Sequence, residues 1–498
     1  MPLSPKSILS MRALVMPVLT PMLILAGCAS VPDPGPRAEP LASAQIAAGH
    51  SLAADHVTQR GDWPDDAWWR AFSDPQLDAL IDEALRNSPD VSIAVARLRQ
   101  ASGMARAAGA AGLPRVDAQG SVTFNKQSYN QGFPREFLPQ GWKDYADLAG
   151  VLSFDLDLWG RNRAALAAAT SEETAAAIDL AEARIMLASG MAQAYADLAR
   201  LYEERDVLEA ALAVRSGSEK VVTDRSRAGL ETAVGTRLAS AQTATARADI
   251  AAADQAIALR RNQLAALAGA GPDRGLDIAR PQLAMPAQAS LPPDVTTDLL
   301  GRRADIASAR TRVGAAAARI RAARADFFPA IRLEALVGLQ SLGVENLFRG
   351  GSTYGSTGPA ISLPIFRGGE LQGRYTAARG AYDEAVAQYD KVVLDAYRET
   401  ADAVTARRQV AVRLAEAKSA LADSEGAYRM ARLRYDAGLS TYLDVLNVED
   451  RLLQARRAVS GLEAMARDAD IALIRALGGG YAPADQVANR MNAGDIVQ

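Results

Sequence analysis

The 498-residue chain has one cysteine, Cys28, and only two histidines, His50 and His56. A lone thiol closes no internal disulfide, and without a cysteine pair a Cys-based zinc site is excluded. Both histidines lie in the N-terminal leader region, and neither belongs to a His-Glu-x-x-His run. There is no Gly-x-Ser-x-Gly elbow and no P-loop; "GAGPDRG" from Gly269 follows a helical stretch rather than a strand, so it reads as a helix stop and linker. No catalytic constellation remains, which argues against an enzyme and against a bound cofactor. Aromatic residues make up only 5%, too few for a large aromatic core, and alanine-rich stretches favour closely packed helices instead. The formal charge is −3 with both signs spread along the chain, so no basic stripe suggests nucleic acid. After the leader, no apolar run approaches the ~18 residues of a spanning helix, and any membrane contact there must come from strands.

The one cysteine has an informative neighbourhood. Lys6 and Arg12 precede an apolar run, "ALVMPVLTPMLILAG", of about 15 residues, too short to span a bilayer and suited to a secretory signal. Leu25-Ala26-Gly27-Cys28 looks like a bacterial lipobox, in which cleavage leaves the cysteine first and its sulfur carries a diacylglycerol. Ala29 follows, where lipoproteins kept at the inner membrane usually carry Asp, so export to the outer membrane is expected. The stretch "VPDPGPRAEP" then reads as an extended, flexible tether.

The remainder says nearly the same thing twice. "NSPDVSIAVARLRQASGMARAAGAAGLPRV" is echoed by "GRRADIASARTRVGAAAARIRAARADFFPAI", "LAGVLSFDLDLWG" by "TGPAISLPIFRGG", and "RSRAGLET" by "RYDAGLST". Each copy reads helix, strand, strand, two helices. Leu148, Leu152, Phe154, Leu156 and Leu158 alternate with Asp147, Ser153, Asp155 and Asp157, and Ile331, Leu333, Ala335, Val337 and Leu339 alternate likewise. That is the dyad pattern of a barrel strand, apolar outward and polar inward, although a small soluble sheet would show it too.

Arg161 to Arg227 contains no proline and, as one helix, would extend roughly 100 Å. Leu180, Leu187, Ala194, Leu201 and Leu208 recur every seventh residue, joined by Met191, Leu198 and Leu212. Tyr389, Ala396, Ala403, Val410 and Ala417 repeat the scheme, so both copies predict a left-handed coiled coil. Arg184 and Arg205 interrupt the seam and should mark polar exposure. Gly229 and Gly438 sit where each chain segment turns back, as glycine does just past a helix end. Four strands cannot close a barrel, for which about eight is the practical minimum, so membrane strands would require oligomerisation.

These residues resemble the outer-membrane efflux proteins, TolC-like, of the NodT/OprM lipoprotein branch. "DDAWWRAFSDPQLDALIDEALRNSPDVSIAVARL" is similar to the N-terminal signature of that family, with Trp68, Trp69, Phe72, Asp74, Pro75, Leu77, Asn87 and Arg97 in place. "FDLDLWGRNRAAL", "ARADFFPAIRL" and "LPIFRGGEL" resemble its strand-to-helix and helix-to-strand junctions. "LLGRRADIASA" resembles its Leu-Leu-x-Arg-Arg-Pro-Asp-Ile block, with Ala304 in place of proline. The resemblance implies a mainly α fold with a small β part: a homotrimer with a 12-stranded outer-membrane β-barrel, four strands per chain, continued by a long periplasmic α-helical barrel. It also implies a periplasmic adaptor (membrane fusion protein), an inner-membrane efflux pump of the RND type and outer-membrane lipid as partners, and export of drugs or other small molecules.

On that basis the chain divides into a lipoprotein signal peptide (1–27), an acylated tether (28–65), a first efflux repeat (66–270), a linker (271–295), a second repeat (296–480) and a flexible tail (481–498). Cys28 is the expected lipidation site, its covalent lipid the only prosthetic group. The resemblance puts the periplasmic gate at Asp444 and Asn447, the second position being acidic in many relatives. It puts the adaptor contacts at the two helical turns, Gly229 with Leu230 and Gly438 with Leu439. A solvated acid on a helix face is the plain alternative for Asp444. Two other functions share parts of the pattern: an outer channel for protein secretion, against which the lipobox weighs, and a periplasmic scaffold or adaptor, against which two hairpins rather than one weigh.

Overall fold

Helix boundaries follow local chemistry. In the computed structural model, which describes residues 63–130, 134–284 and 301–482 with positions 31, 35–42, 46–48, 132 and 299, helix α1 (Pro75–Asn87) begins with proline at its first turn and Asp74 as N-cap, accepting the Gln76 N–H at 2.9 Å. The other Asp74 oxygen accepts the Tyr195 hydroxyl and the Gln282 N–H, each at 2.8 Å, so one buried carboxylate ties three distant segments. Helix α2 (Pro89–Ala110) follows, then β1 (Arg115–Asn125), β2 (Lys143–Asp155), α3 (Arg161–Arg227) and α4 (Ala233–Leu267). The second half runs α5 (Ala304–Ala325), β3 (Ala330–Leu342), β4 (Thr353–Ser362), α6 (Glu370–Asp436) and α7 (Tyr442–Ala476). The repeat is preserved to the residue in the helices: α2 and α5 have 22, α3 and α6 have 67, and α4 and α7 have 35.

The four strands form one antiparallel sheet in the order β1-β2-β3-β4, with β2 of the first repeat paired to β3 of the second from Tyr145↔Leu342 to Asp155↔Arg332. Register sorts the side chains by face. Val116, Val122, Phe124, Leu148, Leu152, Leu333, Val337 and Ile361 share one face, and Arg115, Asp117, Ser121, Asp147, Ser153, Arg332, Glu334 and Gln340 the other. Large apolar groups on the first face are uncovered: Val116 is 71% exposed, Phe124 75% and Val337 72%. Among the described residues, β1 and β4 each have one unpaired edge.

The alternation does not run on through Asp157 and Leu158 as the sequence pattern suggested. Strand β2 ends at Asp155, and Asp157 adopts a positive φ of 46°. Its carboxylate accepts the Asn162 and Arg163 N–H groups at 2.9 and 3.0 Å, so it caps α3 rather than facing a sheet surface.

Cα packing divides the chain into two compact units that do not follow the repeats. Of the described residues, one unit takes those up to 40 with those in 99–175 and 309–388 and holds the whole sheet; the other takes those in 41–98, 176–308 and from 389 on and holds both helical turns. Each draws on both repeats; in the first, strands of one copy pair with strands of the other. In the second unit, Trp68, Phe72, Leu77, Leu80 and Ile81 pack with Leu187, Met191, Tyr195, Leu198 and Leu264. The heptad positions Leu187, Ala194, Leu201 and Leu208 are buried, as are Tyr389, Ala396, Ala403 and Val410. Arg184 is exposed, and Arg205 reaches Asp254 at 2.6 Å and Glu209 at 2.7 Å, consistent with a polar break in the seam. Among the described residues no helix is long and apolar enough to cross a membrane.

The expected linker is partly packed: Ile278 is fully buried, and Gln76 exchanges hydrogen bonds with Ala279. Likewise, the tether read as extended and flexible is fastened at residues 35–41, where helix side chains take its backbone groups. The signal segment 1–27, Cys28, positions 285–298 and the tail from 483 lie outside the described residues.

Candidate functional site

The two helical turns are built by the same backbone device. At the first, Gly229 has φ +72°, its N–H donates to the Ser226 carbonyl at 3.0 Å, and the Leu230 N–H donates to the Arg225 carbonyl at 2.8 Å. At the second, Gly438 also has φ +72°, donating to Tyr435 at 2.9 Å, and Leu439 donates to Arg434 at 2.8 Å. This paired i→i−3 and i→i−5 pattern is a Schellman cap, which needs a left-handed residue that only glycine adopts without strain. Leu230 and Leu439, next in line, are 69% and 71% exposed. Each following helix is capped by a threonine: Thr232 Oγ1 accepts the Gly235 N–H at 3.1 Å, and Thr441 Oγ1 accepts the Asp444 N–H at 3.4 Å.

Here the turns diverge. Asp444 closes a capping box, its Oδ2 accepting the Thr441 N–H at 2.9 Å and the Thr441 hydroxyl at 2.8 Å. Those bonds hold its carboxyl below the ordinary carboxylate range, the hydroxyl contributing most and then the backbone N–H. Asp444 and Asn447 are both exposed and lie three residues apart, on one helix face. The corresponding place in the first turn is Gly235, which has no side chain to reach back; Glu231 Oε1 accepts the Thr232 N–H instead, at 2.9 Å.

Behind the turns lies a cluster that sequence reasoning did not single out. Val222, Ala239, Tyr435, Tyr442, Val445 and Leu446 form a small buried core, with the Arg225 guanidinium 5.0 Å from the Tyr435 ring centre. Further along, Arg215 of α3 donates to Glu449 at 3.3 Å and to Asp450 at 2.8 Å on α7. The Arg215 and Glu449 side chains are only 8% and 3% exposed. Burial pushes the Glu449 carboxyl up, and Arg215 opposes that shift. The adjacent acids in "NVED" were the available signal, but nothing in the pattern set them opposite an arginine 234 positions earlier.

A four-stranded antiparallel sheet with an uncovered apolar face and two open edges, followed by paired long helical hairpins, defines an outer-membrane channel protein of TolC-like fold. A profile of the outer membrane efflux protein family matches residues 80–270 and 295–479, and the chain belongs to that family. It is 36% identical over 378 residues to the fusaric acid resistance protein FusA of Burkholderia cepacia, covering 73% of this chain and 69% of FusA. It is 31% identical to the pyoverdine export outer membrane protein OpmQ of Pseudomonas aeruginosa, over 93% of this chain and 96% of OpmQ. Among solved structures, the outer membrane protein VceC of Vibrio cholerae superposes with a TM-score of 0.79 at 41% identity, covering 84% of this chain and all of VceC. The protein is thus an outer-membrane efflux channel extending into the periplasm.

Proposed function

We propose that three copies of this chain close a barrel of about twelve strands and conduct small organic molecules outward, working with a periplasmic adaptor and an inner-membrane pump of the RND type. The observation that carries this reading is the sheet: four strands with an unpaired edge on β1 and on β4, and an apolar face left uncovered. In lipid an open edge leaves backbone groups without partners, so the strands must pair with another copy. Relatives named for pyoverdine export and fusaric acid resistance support small molecules as cargo. Exposed Leu230 and Leu439, held by rigid Schellman caps, are suited to contact an adaptor beside Gly229 and Gly438. Cys28 is the residue for covalent lipid.

In this reading Asp444 and Asn447 line the periplasmic constriction. A threefold ring of Asp444 carboxylates would attract cations over less than the ~8 Å Debye length. The Thr441 hydrogen bonds favour the charged form of each of those carboxylates. Native mass spectrometry of the detergent-solubilised protein should give a trimer; a stable monomer would refute the barrel. In planar bilayers, Asp444→Ala should lower cation preference and Asn447→Asp should raise it. Unchanged selectivity in both variants would leave Asp444 as a helix cap alone.

A further inference from the structure

Where the sheet gives way to helices, four arginines line one cavity of about 140 Å³: Arg161 at the start of α3, Arg332 in β3, Arg367 ahead of α6 and Arg374 within it. All belong to the unit that holds the sheet. The space has room for several waters or one small organic molecule. Its apolar wall is built around Trp159, whose ring stacks on Phe328 with centres 4.8 Å apart and planes at 22°. The Trp159 Nε1–H donates to the Pro329 carbonyl at 2.8 Å, which fixes the indole, and Leu371 adds to the wall.

The positive charge is unevenly answered. Arg374 meets Glu370 at 2.6 Å, and the same carboxylate stands 3.8 Å from Arg367. Arg161 is 3.4 Å from Asp155 and 3.7 Å from Asp326. Arg332 lies directly across the ladder from Asp155, yet that carboxylate accepts the Asp157 N–H at 3.0 Å and serves Arg161 instead. Among the described residues Arg332 makes no ion pair. The fold does not require these cations. Arg332 is the third residue of β3, and the third of β1 is Asp117. Arg374 is the fifth of α6, where α3 has Ala165, and Arg367 stands three places before α6, where Leu158 precedes α3. The same backbone is therefore built with and without them. Guanidinium groups that share one space and lack close carboxylates are suited to an incoming oxyanion, which each can take with two parallel N–H donors.

We propose that this cavity binds small aromatic carboxylates: the carboxylate taken by Arg332 and Arg367, the two least answered cations, and the ring laid against Trp159 and Leu371. Asp155 and Asp326 compete for the arginines and keep the binding weak, as a conduit needs if cargo is to leave again. Arg332 and Asp155 share the polar face of the sheet, so the cavity borders the channel interior. That placement rests on the trimeric barrel of the preceding reading; the binding itself does not.

Titration calorimetry tests the binding on the full-length protein in detergent, with benzoate as ligand and benzamide as its neutral counterpart. Benzoate should bind and benzamide should not, and Arg332→Gln should weaken benzoate by about tenfold or more, the loss expected for a hydrogen bond to a charged group. Arg332→Lys, which keeps the charge without the fork, should fall between. Equal binding of the two ligands, no binding of benzoate, or an Arg332→Gln affinity equal to wild type would overturn the site. Inorganic phosphate binding more tightly than benzoate would make it a phosphate site and overturn the part given to the ring. If Arg332→Gln lowers the melting temperature, the contrast between benzoate and benzamide in the wild type alone decides. Planar-bilayer current is read separately: benzoate, but not benzamide, should lower the wild-type conductance and leave that of Arg332→Gln unchanged. Binding in detergent without any such block would take the cavity off the channel interior while the carboxylate site stood, and a monomer that still bound benzoate would refute the barrel and leave the site.

Discussion

The turn at Gly229 and the turn at Gly438 share a backbone and differ in chemistry. Both use glycine at φ +72°, the same pair of carbonyl contacts, an exposed leucine and a threonine cap. Only the second adds an acid at the third helical position and, one turn further, a buried carboxylate answering an arginine from another helix. Duplication has therefore kept what the chain needs to reverse direction, while the residues that decide charge and fastening have diverged. Backbone caps are demanded of each copy by its own local sterics; ion pairs depend on what stands opposite.

The largest break in this comparison should come from Arg215→Ala. It leaves Glu449 buried without its cation, and losing one partner of a buried pair costs about 3 kcal/mol or more, read as a lowered unfolding midpoint. Replacing Arg215 and Glu449 together by apolar residues of similar volume should recover most of the loss. If the single and double variants were equally unstable, the penalty would not lie in the uncompensated charge.

A pH scan separates the turns from the middle of the helices. Arg303, 8% exposed, bridges Asp305 at 2.7 Å and Glu399 at 3.0 Å, and nearby Glu182 is pushed up to about 7 by burial and then by Asp305. Its folded-state pKa exceeds the ordinary 4.5, so the folded chain holds the extra proton between those values. Stability therefore falls as pH rises from about 4.5 through about 7, by on the order of 3 kcal/mol, and Glu182→Gln should flatten that slope of melting temperature against pH. Asp444 has the opposite sign: its contribution is present above the ordinary carboxylate range and is lost only as pH falls through its lowered pKa. Substituting it should leave the slope between about pH 5 and 8 unaltered.

Gly229→Ala and Gly438→Ala should each cost about 1 kcal/mol, and equally, because the left-handed conformation and not any contact sets the penalty. No heavy atom lies within 4 Å of a Cβ added at either position. Unequal losses in local hydrogen exchange would mean that the two turns are not the same device.

The smallest effects concern the caps. Asp444→Ala should lower the local stability of the first turn of α7 by removing one half of the capping box. Gly235→Asp, which puts an acid at the matching position of the first turn, should gain less than Asp444→Ala loses, because Glu231 already accepts the Thr232 N–H there. The added Cβ would crowd the Glu231 side chain, whose Oε1 lies 2.9 Å away, so that side chain must give up its bond to the Thr232 N–H as the new carboxylate takes it over. Amide exchange over the first turn of α4 and of α7 reads both.

Much of this was legible in the residues because it is periodic or local. Heptads named the buried stripe of α3, and alternation named one face of β2 and β3. The turn glycines announced themselves through the helix-ending signature they share. Capping was harder: Asp157 looked like one more strand position, but a carboxylate two residues past a strand can instead accept N–H groups of the next helix, and here it does. For Asp444 the capping box is readable in principle from a threonine followed three residues later by an acid.

By itself, the sequence determined the tandem architecture, the element types, the seam residues and the family, since each depends on spacing within a few turns of chain. Tertiary structure alone decided which strands pair across the two copies, that Arg215 meets Glu449, that Glu182 is drawn into a cluster with Arg303, Asp305 and Glu399, and that residues 35–41 are held by a helix more than 340 positions away. Those contacts join residues whose separation along the chain carries no periodic trace, and their energies come from burial and from charges brought opposite one another only when the chain is folded.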